Sequence, residues 1–424
     1  MLKISADKQA WFILMSFSLC FFVITAATFT SLGVVLPSIV NELGWDWTTA
    51  GLGFTFLGVA AATSGYIPTI TIRKWGLSFT LICGLIIFSA GFIVLYQTHT
   101  PSSYWFGCVL IGMGFTIVGP IPSTYVITHF FKKRSTAFGF YYTFGALGGI
   151  AGPAVVWLAT NVMGNWRLHW MMMLCSVIIA ICFMLTILLF TDREKLKKPP
   201  SEDGTSAQQR VYETNQVWTV KQALRSPQYL LLCAAYTSVL FIVITVNSFS
   251  VSHLTEVGLS LAFASALLSA EAFCNAVSRL AGGFIGEIFE PKIMLLCALI
   301  MTTLGMLILS LVQSPILLGV FAVAVGFGYG FTVLSTTILL IRYFGSGPYL
   351  ELFSIMNIFA TFAAIAPIIS GAMRDVTGNF VAPFLLISIV PVIVFVGVMF
   401  MKSPRLSTLN KSAHIQMATA KTND

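Results

Sequence analysis

The sequence predicts an all-α membrane protein with twelve transmembrane helices arranged as two six-helix, pseudo-symmetric halves. Three observations predict it. The composition is 57% hydrophobic and only 9% charged, against about 25% charged in soluble domains. Apolar runs long enough to cross about 30 Å of hydrocarbon recur twelve times along the 424 residues. The chain also reads as two copies of one pattern, offset by about 214 positions.

The first six runs lie near residues 11–38, 48–72, 77–97, 103–128, 135–160 and 168–191. The first is longer than the 7 to 15 residues of a signal-peptide core and continues into TSLGVVLPSIV without a small-residue cleavage site, so it reads as a retained span. The stretch Asp192–Ser226 opens with DREKLKKPPSEDGTSAQQR, charged and without apolar period, as a linker does. Its end, VWTVKQALRSPQY, sets Val217, Val220, Ala223 and Leu224 against Lys221 and Arg225, the pattern of a short helix on the membrane interface. Pro227 stops that helix. Six further runs follow near 228–252, 260–288, 292–312, 314–341, 349–373 and 380–401. The expected organisation is therefore an N-terminal bundle (1–191), a linker (192–226), a C-terminal bundle (227–402) and a tail (403–424).

Of the 23 basic residues, 20 fall at the N-terminus, in the even-numbered loops or in the tail. Two, Arg167 and Arg374, fall in odd-numbered loops, and Arg279 falls inside a span. Positively charged loops stay cytoplasmic, which places both termini in the cytoplasm of a bacterial-type inner membrane. The net charge of +8 is thereby a matter of membrane orientation and calls for no nucleic-acid partner.

The internal repeat aligns GMGFTIVGPIPSTYVITHFF with GFGYGFTVLSTTILLIRYF, pairing Gly114 with Gly328 and Phe131 with Phe344. The following spans carry Gly152-Pro153 and Ala366-Pro367 at corresponding places. Duplicated six-span halves put a substrate site near the bilayer midplane between them, exposed to each side in turn. Gly145, Gly148, Gly149 and Gly152 recur at helical spacing and invite close approach of another helix rather than phosphate binding. All eight cysteines sit in hydrophobic runs with no CxxC pair, and the five histidines (99, 129, 169, 253, 414) lie at span ends, in loops or in the tail. Neither a metal centre, a cofactor nor a catalytic set is expected, so the reading excludes an enzyme.

One stretch concentrates the chemistry: LLSAEAFCNAVSRLAGGFIGEIFEPK, residues 267 to 292. An ionisable group at membrane depth costs about 2.5 to 3.5 kcal/mol and marks function. Glu271, Asn275, Ser278, Arg279, Gly282 and Gly286 fall on a single helical face, expected to line a cavity. The guanidinium of Arg279 cannot deprotonate and presents a planar fork matched to a carboxylate, so an organic anion is its expected ligand. Glu271 lies eight residues away, about 12 Å along the helix, too far to be a fixed partner. A carboxyl withdrawn from water favours its neutral form, which makes Glu271 the candidate proton carrier. Thr30, Tyr142, Asn247, Tyr329 and Asn357 are further candidates for the substrate site, as are Thr28, Tyr141 and Thr332.

The segment His129–Gly149, HFFKKRSTAFGFYYTFGALGG, resembles the signature of monocarboxylate transporters and of oxalate:formate antiporters, both within the major facilitator superfamily. Phe130, Lys132, Lys133, Arg134, Ala137, Gly139 and Gly148 carry the likeness. Asn165-Trp166-Arg167 and ALRSPQYLLL (Ala223–Leu232) add to it, so that it covers nearly the whole chain. The resemblance implies the major facilitator fold, and it implies that Arg279 contacts substrate carboxylate. It also implies gating motifs: Gly65 with Arg73-Lys74-Trp75-Gly76, lacking the usual acid, and a fuller copy with Gly283, Gly286, Glu287, Pro291 and Lys292. Arg73, Lys74, Lys132, Lys133, Arg134, Glu287 and Lys292 are the candidate gating residues, the basic cluster serving also as a topology anchor on anionic lipid. The chain departs from these families at Asn275, where an aspartate is common, at Thr30, where a lysine is common, and in Ile355–Gly371, which has no lysine.

The expected function is secondary, proton-coupled transport of a small organic anion, a monocarboxylate such as lactate or pyruvate, by a monomer in the lipid bilayer. Alternatives are transport of a larger amphiphile, such as a drug or a carboxylate siderophore, and oxalate:formate-like anion exchange. A non-transporting receptor or ancillary subunit stands outside the transport class.

Overall fold

The structure, a computed structural model, describes residues 6–131, 134–190, 218–288, 290–311, 314–345 and 348–404. Among the described residues eleven helices are long and apolar enough to cross a membrane, and a bent pair taken as one span is the twelfth. They are α1 (Gln9–Leu43), α2 (Trp47–Thr63 with Tyr66–Trp75), α3 (Leu77–Tyr96), α4 (Pro101–Ile127), α5 (Ala137–Val162) and α6 (Arg167–Phe190). The second set is α7 (Pro227–Glu256), α8 (Leu261–Ile288), α9 (Pro291–Leu311), α10 (Pro315–Phe344), α11 (Glu351–Thr377) and α12 (Val381–Phe400). No strand occurs among the described residues.

The spans start and stop where local chemistry says they should. Pro101, Pro227 and Pro315 open helices at positions whose N–H would be unsatisfied anyway. Asp46, Thr100 and Ser226 cap helix N-termini with side-chain oxygens. Gly44 and Gly378 end α1 and α11 in the left-handed region, at φ 66° and 78°, which glycine adopts without steric cost.

Several irregularities are not visible as hydropathy, a π turn at Leu158–Val162 and a 3-10 turn at Thr361–Ile365 among them. The two parts of α2 meet at 42° around Ser64-Gly65, and α1 widens into a π-helical turn over Ala26–Thr30, a bulge often found at functional sites. The short helix before α7 spans Val220–Leu224 and is capped by Thr219 and Gln222. Its anchor is Trp218, buried edge-on against Phe344 at 5.2 Å, whereas Val217 and the linker before it lie outside the described residues.

Within each half, glycine lets helices touch backbone to backbone. Gly112 faces the carbonyl of Leu57 between α4 and α2, and Gly328 faces that of Ala298 between α10 and α9. Between halves the same device recurs where Gly33 of α1 meets the Asn247 backbone carbonyl of α7, and at two further seams. A Cβ on Gly149 of α5 would lie 2.7 Å from the Cβ of Ala272 on α8. A Cβ on Gly371 of α11 would lie 2.2 Å from the carbonyl oxygen of Trp47 on α2, and one on Gly51 would lie 2.4 Å from that of Pro367. The repeat maps α2 onto α8 and α5 onto α11, so the two seams are counterparts.

Candidate functional site

Arg279 is half-buried on α8, nine residues before Ile288, which is about 14 Å of helix from that end. Its Nε donates to Asn275 Oδ1 at 3.0 Å, one turn back. Its guanidinium carbon stands 5.2 Å from the centre of the Tyr329 ring on α10, a cation–π contact. No carboxylate pairs with it among the described residues. The ion pairs there are Arg167–Glu42 and Arg374–Glu256, so both basic residues of the odd-numbered loops have acids. The buried base does not.

The surroundings of Arg279 are phenolic. Tyr142 of α5 and Tyr236 of α7 both lie within electrostatic reach of its charge and of Tyr329. Tyr349, just ahead of α11, reaches Tyr142 and Tyr236 in the same sense. The Tyr236 hydroxyl donates to Asn357 Oδ1 at 3.4 Å. Arg279, Asn275, Tyr142, Tyr329 and, through Tyr236, Asn357 are thus linked in one cluster. Tyr236 and Tyr349 were missed, although a phenol buried in a span needs a polar partner, and that is a signal sequence carries.

Thr30 and Asn247 stand apart from this cluster. The Thr30 hydroxyl, at the end of the π turn, is buried without a partner against the Gly152 backbone. Asn247 lies where α7 crosses α1. Its Nδ2 donates to the Val243 carbonyl at 2.8 Å, and its own carbonyl fills the space a Gly33 side chain would need. Glu271 is 3% exposed and its Oε1 has no partner; it lies within electrostatic reach of Arg279, although no ion pair joins the two. Ser278 corrects the single-face expectation. It is fully buried, donates to the carbonyls of Asn275 at 2.8 Å and Gly326 at 3.4 Å, and packs where Gly330 leaves room on α10. Adjacent residues on a helix point about 100° apart, so α10 takes Ser278 while Arg279 keeps the chamber.

The candidate gating residues fall as follows. Arg73 and Lys74 are exposed in the last turn of α2 and make no hydrogen bond or ion pair among the described residues. Lys132 and Lys133 lie outside the described residues. Arg134 opens the helix that carries α5, and Glu287 lies in the last turn of α8. Lys292 donates to the carbonyls of Met399 at 3.0 Å and Met401 at 2.7 Å. In this conformation it closes the C-terminus of α12 within its own half rather than reaching across.

The contact that does cross is one the sequence reading passed over. Asp375, at the end of α11, accepts from the backbone N–H of Trp47 at 3.0 Å and of Thr48 at 2.8 Å, and from the Thr48 hydroxyl. It thereby caps the N-terminus of α2 from the other half, where the helix dipole favours negative charge. Trp47 is buried edge-on against Phe380 at 5.0 Å and Phe249 at 6.1 Å, and Arg374 stands 5.5 Å from its ring. The remaining hydrogen bond between halves among the described residues runs from Ser269 Oγ to the Ile150 carbonyl at 3.2 Å. The halves are therefore fastened on the side of the α1–α2 and α11–α12 loops, and Arg279 lies nearer the other end of α8.

Comparison with known proteins places this architecture. The model of the Major Facilitator Superfamily matches residues 17–262 and 239–420. Curated relatives include the multidrug resistance protein MdtH of Shigella dysenteriae serotype 1, 23% identical over 156 residues, which are 36% of this chain and 37% of that protein. MdtH of Enterobacter sp. strain 638 is 24% identical over 141 residues, 32% of this chain and 33% of that protein. The matched stretch thus spans about a third of the relatives' length. Among solved structures, the nucleoside transporter NupG superposes with a TM-score of 0.71 at 15% identity, covering 91% of this chain and 99% of that one. A bacterial homologue of the human lysosomal transporter Spinster, inward-facing and unoccupied, gives 0.71 at 16% identity, covering 92% and 97%. A POT family transporter in complex with 5-aminolevulinic acid gives 0.72 at 11% identity, covering 91% and 95%. At these identities the likeness is one of fold.

Proposed function

Since the chain belongs to the Major Facilitator Superfamily, we propose that it is a secondary transporter of an organic anion, bound at Arg279 and released by rocking of the two halves. One observation carries the reading: a half-buried guanidinium held in place by Asn275 and Tyr329 that has no ion-pair partner among the described residues. Leaving a fixed charge uncompensated in low dielectric is costly, and a carboxylate arriving from solution removes that cost. The single cation argues for one carboxylate rather than two. The phenolic lining argues for a body larger than lactate or pyruvate, and the multidrug names of the curated relatives point the same way. A small monocarboxylate remains the second reading, on the resemblance around Phe130–Gly148.

Orientation follows the positive-inside rule, with both termini cytoplasmic. The fastened side is then the outer one, and the chamber of this conformer is served from the cytoplasm. Glu271 is the group we assign to proton coupling, because it is a buried carboxyl on the binding helix without an ion-pair partner. Uptake into proteoliposomes tests the whole reading with small and bulky carboxylates under an imposed pH gradient. Flux of one of them that depends on Arg279 supports it. Flux that survives Arg279→Ala unchanged overturns the role assigned to the arginine.

A further inference from the structure

Carboxylate recognition needs donors, and Arg279 supplies them; it does not need a ring of phenols. Yet aromatic side chains reach this one guanidinium from three helices, and a fourth tyrosine, Tyr349, reaches two of those. Tyr329 is already used, since the cation stands over its ring at 5.2 Å. Tyr142 is backed by Phe138 on its own helix, with centroids 6.1 Å apart and planes 19° apart. Tyr349 is backed in the same way by Phe353, at 5.7 Å and 27°. Each stack stiffens its ring, and Tyr142 is also met edge-on by Phe21 at 6.1 Å and Tyr141 at 5.4 Å. Tyr236 is oriented by its hydrogen bond to Asn357. These tyrosines are half-buried rather than lipid-facing, and they gather at a charge, so a headgroup-level belt does not account for them. They also come from both halves: Tyr142 from α5, Tyr236 and Tyr349 from the second set.

We infer that the chamber takes an aromatic monocarboxylate. Its carboxylate sits on Arg279, and its flat ring lies between Tyr142 of one half and Tyr236 and Tyr349 of the other. Aromatic pairs prefer offset or edge-on contact beyond what area burial alone provides, so an aromatic acid gains where a saturated acid of equal size does not. Two such contacts of ordinary strength amount to about tenfold in affinity. Because the ring would bridge the halves, it would also report their relative position. The inference rests on the anion reading of Arg279 and adds the chemistry of the other end of the ligand.

The test compares binding of radiolabelled benzoate and cyclohexanecarboxylate to the full chain in lipid nanodiscs. The expected result is benzoate binding about tenfold tighter. Tyr142→Leu and Tyr349→Leu should each bring that ratio below about threefold, whereas Tyr142→Phe, which keeps the ring and guards against a folding defect, should restore it. A ratio near one in the unaltered protein, or a ratio that survives both leucine variants, overturns the inference. If both acids then still bind and both are lost in Arg279→Ala, the anion reading stands and only the aromatic one falls. If the folded protein binds neither acid, both fall together.

Discussion

Removing the Asp375 carboxylate should loosen the side on which the halves are fastened. The side chain receives three hydrogen bonds, two of them from the first N–H groups of α2. A carboxylate at a helix N-terminus contributes about 0.3 to 1 kcal/mol when exposed, and a cap replaced by alanine costs about 1 kcal/mol. Asp375 is exposed, which discounts its charge. Asp46 also caps α2 from its own half, accepting from Thr49 at 2.7 Å, so the helix itself survives the loss. Asp375→Ala should therefore shift the equilibrium away from the fastened conformer by about 1.5 kcal/mol, a little over tenfold. Asp375→Asn, which keeps one acceptor but loses the charge, should shift it by about half of that. Spin labels at the exposed positions His99 and Asn379, in opposite halves and in a background with the eight cysteines replaced, would report the distance across this side. The expected result is a longer-distance population that grows from the unaltered protein through Asn to Ala. The effect should be larger in low salt, where a surface charge is least screened. Distance distributions that are the same in all three proteins would refute the reasoning.

Other consequences can be checked alongside. Arg279→Ala should weaken carboxylate binding by about 100-fold, the loss of a charge-assisted pair, and Arg279→Lys should recover only part of it because the fork is gone; equilibrium binding decides. Glu271→Gln keeps the shape of the side chain and should abolish accumulation driven by a pH gradient while counterflow exchange persists. Accumulation that persists would remove Glu271 from proton coupling. Gly371→Val puts a branched side chain into a gap of 2.2 Å to the Trp47 carbonyl, so it should open the same side as Asp375→Ala. The double variant should be less than additive, by the same spin-label distances.

The spans were legible because each is a sum over about 20 residues, and a sum tolerates local noise. The bend of α2 and the π turn of α1 were not, since neither alters hydropathy. The helix that carries the candidate site was legible through Arg279, whose presence at depth is its own signal. The face around it was assigned wrongly at Ser278, because the partner that claims that residue is fixed by Gly326 and Gly330, some fifty positions away. Lys292 was read through a motif, yet the carbonyls of α12 are nearer to it than any gate partner among the described residues. Asp375 looks in sequence like any acid at a span end. Only the fold brings the start of α2 beneath it.

The α5–α8 and α11–α2 seams between the halves are counterparts by the repeat, but they are not made alike. Where α5 meets α8, glycine lies on alanine and one neutral hydrogen bond from Ser269 crosses. Where α11 meets α2, the Asp375 side chain holds a helix terminus beside the Arg374–Glu256 ion pair. Neutral, close-packed surfaces can slide without breaking a strong contact, whereas a charged cap is either made or lost. The duplicated architecture therefore behaves as a door with unequal edges. One edge turns as a hinge and the other acts as a catch, and the ionic composition of the compartment facing the catch sets how readily it lifts.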